Sequence, residues 1–248
     1  MTIYCHQIWV NTSCDQTDLK KCPDIPPPQK FSRSIENLKE LCNQNGLIYK
    51  LWKNSDITDD LFPSRKLLKL FDSYDYAIQK IDLLKYLILN KYGGYYFDVD
   101  LDVINLPKFN KLTFGFQPRL NMGYENPVME YLAKKFSFLP EKNVVNNNFM
   151  FCEAGDKFMQ YLLQEIPKYK SRKPWELKSE YVFGSTGPVF LMQLIEKTPK
   201  RNYDLVNSSQ IFHDKAENSW NKSLDTHDLK FFIFIGLLFF LVIIILKN

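Results

Sequence analysis

The stretch "IQKIDLLKYLILNKYGGYYFDVDLDV", residues 78–103, fixes more of the fold than any other part of the chain. Ala77, Ile78, Ile81, Leu84, Ile88 and Tyr92 recur at helical spacing, which predicts a helix over 76–92. Gly93 and Gly94 stand where a left-handed cap ends such a helix. A strand, "YYFDV", follows at once and runs into Asp98, Asp100 and Asp102 at alternate positions. Strand alternation sends these three acids to one side and Phe97, Val99, Leu101 and Val103 to the other.

Three neighbouring carboxylates repel one another, and either a solvated strand end or a divalent cation relieves the repulsion. A polar edge-strand face is the plainest account. An EF-hand loop starting at Asp98 needs Gly and Glu where Val103 and Phe109 stand, so that reading fails. A phosphatase with Asp-x-Asp after an apolar strand is a distant alternative, because Asp102 departs from its pattern and no acidic pair follows downstream. A third reading gives Asp98 and Asp100 to Mn²⁺ or Mg²⁺, which would bridge the diphosphate of a nucleotide-sugar and offset the charge that develops on it as the sugar departs.

The remaining sequence alternates short apolar runs with helical patterns, which predicts a single α/β domain over residues 1–225. Strands are expected in "IYCHQIWV", "LIYKLW", 112–117, "NFMFCEA" and 205–212, and helices over 34–44, near 127–138, over 156–165 and after Gly187. A formal charge of +4 spread along 248 residues gives no nucleic-acid footprint. Cys5, Cys14, Cys22, Cys42 and Cys152 are odd in number and widely spaced, which reads as reduced thiols. No basic, apolar leader opens the sequence.

Residues 226–230 read as a juxtamembrane linker, and "FFIFIGLLFFLVIIIL", residues 231–246, is uncharged between Lys230 and Lys247. At about 1.5 Å per residue it spans about 24 Å, short of a hydrocarbon core of about 30 Å unless the lysines snorkel or the bilayer thins. A buried core helix would need an interrupted pattern. The expectation is a single-pass membrane anchor that leaves the domain in the cytosol, with the sequons at Asn11, Asn207 and Asn221 unused.

The order of Asp-bearing helix, Tyr-Gly-Gly and strand ending in Asp-x-Asp resembles the DXD-containing glycosyltransferase family of the fungal initiating α-1,6-mannosyltransferase and the catalytic subunit of inositolphosphorylceramide mannosyltransferase. "CHQIWV", "YKLWKNSDI", "NNNFMFCEAG", "STGPVFL" and "FHDKAENSW" resemble further segments of that family in the same order, so the likeness runs from Cys5 to Trp220.

The resemblance implies a GT-A fold, a Rossmann-like mixed sheet flanked by helices, and retaining transfer of a hexose from a UDP- or GDP-sugar to a glycan or lipid-linked acceptor. It implies Asp100 as principal metal ligand, Asp98 beside it near the ribose, and His213 as a third ligand or phosphate contact. Gln7 and Trp9 would line the base and ribose pocket, Asp82 would face the nucleotide or sugar, and Ser219 with Trp220 would clamp the diphosphate. Lys85 stands where the family often has arginine, which leaves a point charge in place of a bidentate contact. Read without the family, Trp9 also fits a core position, His213 a structural one, and Asp82 with Lys85 a surface ion pair. Asp102 has no assigned role. A catalytically silent, membrane-anchored binding or assembly protein of the same fold is the alternative function.

Overall fold

Glycine decides how the central helix meets the sheet. The structure, a computed structural model, describes residues 2–14, 18–117, 144–174 and 176–215, together with Asp228, Leu229, Ile233 and Gly236. Within it, a helix over Ala77–Tyr92 (α3) ends at Gly93, φ 63°, and Gly94, φ 89°, opens a strand over Gly94–Phe97 (β3). A Cβ on Gly93 would collide with the backbone of Ala154, and one on Gly94 with the carbonyl of Tyr4. Both positions therefore combine positive φ with close backbone approach, which only glycine satisfies. His6 secures the junction: its buried ring donates from Nε2 to the Gly93 carbonyl at 2.9 Å and accepts at Nδ1 from Trp52 Nε1 at 3.2 Å. Burial holds the imidazole down to about 4, against the Gly93 bond, so this neutral tautomer persists at physiological pH.

Around this junction lie β1 (Tyr4–Ile8), α1 (Gln29–Gln44), β2 (Ile48–Trp52), α2 (Arg65–Asp72), β4 (Leu101–Val103), β5 (Thr113–Gln117), β6 (Val144–Cys152), α4 (Lys157–Glu165), α5 (Lys178–Ser185), α6 (Pro188–Glu196), β7 (Asp204–Asn207) and β8 (Phe212–Asp214). Among the described residues, six strands form one mixed sheet in the order β2-β1-β3-β6-β5-β7. β1 pairs in parallel with both β2 and β3, β6 is antiparallel to β3 and β5, and β7 is parallel to β5. The chain leaves β1 to one side for β2 and returns on the other side for β3. The carboxyl ends of β1 and β3 thus flank a topological switch point, where open α/β sheets place their ligands.

Side-chain alternation divides the core. Cys5, Tyr95, Phe97, Phe149 and Phe151 pack with Leu38 and Cys42 of α1, and Tyr96, Met150 and Cys152 with the larger cluster containing α3, α4 and α6. α3 is more deeply buried than a one-sided helix, since Gln79, Lys80, Asp82 and Lys85 are buried along with Leu83, Leu84, Leu87 and Ile88.

The structure corrects several expectations. Residues 95–103 are not one strand: β3 stops at Phe97, Asp98 to Asp100 turn, and β4 pairs with β8 in a separate two-stranded sheet. The turn closes through Leu101 N to Asp98 O at 3.3 Å, so the three acids do not share one strand face. α1 starts directly after Pro28, because a proline run can precede a helix without a missing donor mattering there. Residues 205–212 split at Ser208–Gln210, where the Asn207 side chain accepts from Ser209 N.

The thiols are not all reduced either. Cys14 and Cys22 form a disulfide, while Cys5, Cys42 and Cys152 are free and buried. Sequence spacing misses the pairing because Asn54 folds the loop back, donating to the carbonyls of Asn11 at 3.2 Å and Leu19 at 2.8 Å. Asn11 of the first sequon is itself buried. Among the described residues no helix is long and apolar enough to cross a membrane. The expected helix near 127–138, Ser219, Trp220 and, save Ile233 and Gly236, the run 231–246 lie outside the described residues.

Candidate active site

Asp98 follows the last residue of β3, and every polar group it carries is held. Its amide donates to the Asn148 carbonyl at 2.9 Å, and its carbonyl accepts from Gln7 Nε2 at 3.2 Å. Gln7 is fully buried and is oriented in turn by the Tyr49 hydroxyl, which donates to its Oε1 at 2.8 Å. The Asp98 carboxylate accepts from the Tyr96 hydroxyl at 2.7 Å and pairs with Lys85 Nζ at 3.0 Å. Gln7 therefore supports the acidic turn from β1, through the backbone.

Lys85 reaches Asp98 from the middle of α3. With a side chain 3% exposed, it also pairs with Asp82, one helical turn earlier, at 3.1 Å. This is a buried ion pair, not a surface one. Asp82 accepts further from Asn147 Nδ2 at 2.9 Å and Thr186 Oγ1 at 3.0 Å. Tyr86 ties the same groups together, donating to the Thr186 carbonyl at 2.7 Å while Asn147 donates to its hydroxyl at 3.3 Å. Burial pulls the Lys85 ammonium down, but Asp98 and Asp82 outweigh it and hold the group above its ordinary value. Burial pushes the Asp82 carboxyl up, against Lys85. The two directions favour opposite charge states for one pair; because Lys85 faces two carboxylates, the charged ammonium is the state this arrangement holds.

Asp100 sits differently. Burial first, then the charges of Asp98 and Asp214, push its carboxyl up to about 7. Asp214 ends β8 and accepts from Asn148 Nδ2 at 3.1 Å, and the Asn148 Oδ1 is buried with no protein partner among the described residues. The carboxyl of Asp100, facing the like charges of Asp98 and Asp214, is a hard-oxygen ligand whose ionised form a divalent cation would favour. Among the described residues, however, no three His, Cys, Asp or Glu side chains gather tightly enough to hold a metal ion by themselves.

His213 is exposed on β8, in register with Asp102. Asp102 is drawn away from the acidic turn: its Oδ1 accepts from Ser34 Oγ of α1 at 2.6 Å and pairs with Lys215 at 3.1 Å. Although burial opposes it, these partners hold the Asp102 carboxyl below the usual range. Trp9 continues from β1, half-buried with its ring 5.5 Å from that of Phe31, and its indole Nε1 is buried without an acceptor among the described residues.

The structure thus brings Gln7, Asp82, Lys85 and Asp98 into one bonded network and adds Tyr49, Tyr96, Asn147, Asn148, Thr186 and Asp214, which the sequence reading did not assign. "NNN" and "STG" were visible as segments, but nothing in their spacing shows which side chain would meet Asp82.

Residues 28–115 match the family model described as "Glycosyltransferase sugar-binding region containing DXD motif". The chain is a relative of the DXD-containing glycosyltransferases. Its DXD motif is Asp98-Val99-Asp100. Inositol phosphoceramide mannosyltransferase 1 of Schizosaccharomyces pombe is 25% identical over 168 residues, 66% of this chain and 46% of that protein. Mannosyl phosphorylinositol ceramide synthase CSH1 of Saccharomyces cerevisiae is 29% identical over 146 residues, 58% of this chain and 32% of that protein. The chain thus spans half or less of the length of these curated relatives. Among solved structures, the PaToxG glycosyltransferase overlaps 79% of this chain and 69% of its own, at 12% identity and a TM-score of 0.47. A glycosyltransferase involved in glycosylation of the major capsid of PBCV-1 overlaps 94% of this chain and 100% of its own, at 9% identity and a TM-score of 0.44.

Proposed function

We propose that this DXD relative is a retaining glycosyltransferase of GT-A architecture that moves a hexose from a UDP- or GDP-sugar, with a divalent cation, to a glycan or lipid-linked acceptor. The observation that carries the reading is the position of Asp98 and Asp100 beyond the carboxyl end of β3, beside β1 at the switch point, with Asp98 locked and Asp100 repelled by its neighbours. The names of the two fungal relatives favour mannose as the sugar and a phosphoinositol lipid as the acceptor.

Asp100 and Asp98 would hold Mn²⁺ or Mg²⁺, with Asp214 adding negative charge beside Asp100. When bound, the cation would supply charge neutralisation to the diphosphate leaving group. Lys85 and Tyr96 fix the carboxylate of Asp98, and Gln7 fixes its backbone, so the turn is preorganised before the donor arrives. Trp9 would offer its half-buried ring beside β1 to the base or ribose. Asp82 acts from beneath, holding Lys85. His213, and Ser219 with Trp220, remain candidates for the phosphates. Residues 231–246 would anchor the domain to a membrane, and the Cys14–Cys22 disulfide favours an oxidising compartment over the cytosol.

Transfer of mannose from GDP-mannose to inositol phosphoceramide, with the anomeric configuration of the product read by NMR, tests the reading. The expected product has the donor's configuration. Inversion contradicts retention, and phosphate release from simple phosphomonoesters without sugar transfer supports the phosphatase alternative.

A further inference from the structure

Asp228 stands three residues before the uncharged run that begins at Phe231. It is buried, accepting from Arg172 Nη2 at 2.6 Å and from the amide of Lys178, the first residue of α5, at 2.8 Å. Its charge suits the positive end of that helix. Arg172 is braced by Tyr76, whose hydroxyl accepts from Nη1 at 2.8 Å, and by the Glu176 carbonyl, which accepts from Nε at 3.0 Å. The Lys178 ammonium lies 5.3 Å from the centre of the Tyr76 ring. The chain that leads into the apolar run is therefore pinned to the domain at the N-terminal ends of both α3 and α5.

Beside the pin is a cavity of about 470 Å³, lined by Lys168, Tyr169, Ser171, Lys173, Tyr181 and Val189 among others. Lys168, Ser171, Lys173 and Val189 are exposed, and so are Leu229 and Ile233 next to the pin in sequence. Tyr181 is buried and Tyr169 packs on Phe190, so the exposed set is lysine with isolated aliphatic side chains, which suits the headgroup level of a bilayer. The acids on this face are turned to the protein: Glu176 and Glu180 keep their charge but accept from the amides of Lys173 and Leu177 at 3.0 and 2.9 Å, and Glu165 pairs with Lys168, so Lys173 is the lysine of this face offered to the headgroups.

We propose that this face, from Lys168 to Val189, rests on the polar surface of a lipid bilayer, held in that orientation by the Arg172–Asp228 pair. A second copy of the chain would find little reason to cover lysines with lysines. Continuity with residues 231–246 makes the bilayer the nearest apolar phase. The inference rests on the membrane-anchor part of the proposed function and is independent of its donor chemistry.

Full-length protein in phosphatidylcholine vesicles containing phosphatidylserine supplies the test. A fluorophore is placed at Ser171→Cys or, as control, at Ile48→Cys on β2, an edge strand separated from β6 by β1 and β3. The native thiols are buried or in the disulfide, so labelling is selective. Headgroup spin-labelled lipid should quench the Ser171 label several-fold more than the Ile48 label. Arg172→Gln should reduce that difference while the protein stays with the vesicles, and the surface double variant Lys168→Glu/Lys173→Glu, which spares the buried pair, should do the same. Equal quenching at the two positions overturns the proposal, as does a difference unchanged in the charge-reversed variant. Shielding of the Ser171 label in detergent that grows with protein concentration overturns it in favour of a second copy. Loss of vesicle retention in the parent chain overturns it too, and because nucleotide-sugar hydrolysis is measured separately, that failure is distinguishable from failure of the enzyme reading.

Discussion

The Lys85 ammonium lies 3.0 Å from Asp98 and 3.1 Å from Asp82, so one buried charge joins the central helix to the acidic turn. Removing it leaves Asp82 buried opposite only neutral donors. Lys85→Met is expected to destabilise the fold by about 3 to 5 kcal/mol in urea unfolding, the usual cost of breaking a buried pair from one side. Adding Asp82→Asn should recover much of that loss, because the orphaned charge is gone.

Asp100 makes stability and metal binding depend on pH in opposite senses. An acid raised to about 7 in the folded state costs stability as pH climbs from its unfolded value near 4 through 7. Asp100→Asn should therefore be more stable than the parent at pH 8 without metal, and equal to it at pH 4. In the parent, Mn²⁺ affinity measured by calorimetry should strengthen between pH 6 and 8, since a proton must leave first.

Asp102 is expected to matter for the fold and not for the cation. Its folded value is depressed, so its contribution is present above about pH 4 and is lost as pH falls through the folded value. Asp102→Asn should cost about 1 kcal/mol, given a side chain that is partly exposed. Ser34→Ala should cost a similar amount, and neither should move Mn²⁺ affinity.

Gly94→Ala and Gly46→Ala separate backbone strain from collision. Both glycines have positive φ, but a Cβ at Gly46 meets open space whereas one at Gly94 runs into the Tyr4 carbonyl. Gly46→Ala should lower stability by about 1 to 2 kcal/mol. Gly94→Ala should lose more than that, read as a lower urea midpoint or loss of soluble protein.

Thiol titration of denatured, unreduced protein should count three groups, from Cys5, Cys42 and Cys152, and five after reduction.

The parts of this molecule that depend on periodicity were legible in the sequence. Residues 76–92, Gly93, Gly94 and the strands after residues 3 and 47 fall where apolar spacing and glycine chemistry put them. Spacing also shows that Asp82 and Lys85 share a helix face, but not that the face is buried, since burial depends on Asn147 and Thr186 arriving from distant segments. Alternation assigned three acids to one strand face because it carries no information about the turn closed from Leu101 to Asp98. Asp102 was therefore unplaceable until Ser34 and Lys215 stood beside it. The Cys14–Cys22 pair was missed for the same reason, as Asn54 bends that loop from 32 or more residues away in sequence.

The central claim is that Asp98-Val99-Asp100 activates a nucleotide-sugar through a divalent cation. Its most direct test is Mn²⁺-dependent hydrolysis across a panel of UDP- and GDP-sugars, with the parent chain and Asp100→Ala compared side by side. At least one donor should be hydrolysed by the parent, with activity lost on chelation and lost in Asp100→Ala. No turnover of any donor, or turnover that survives both chelation and Asp100→Ala, would contradict the account.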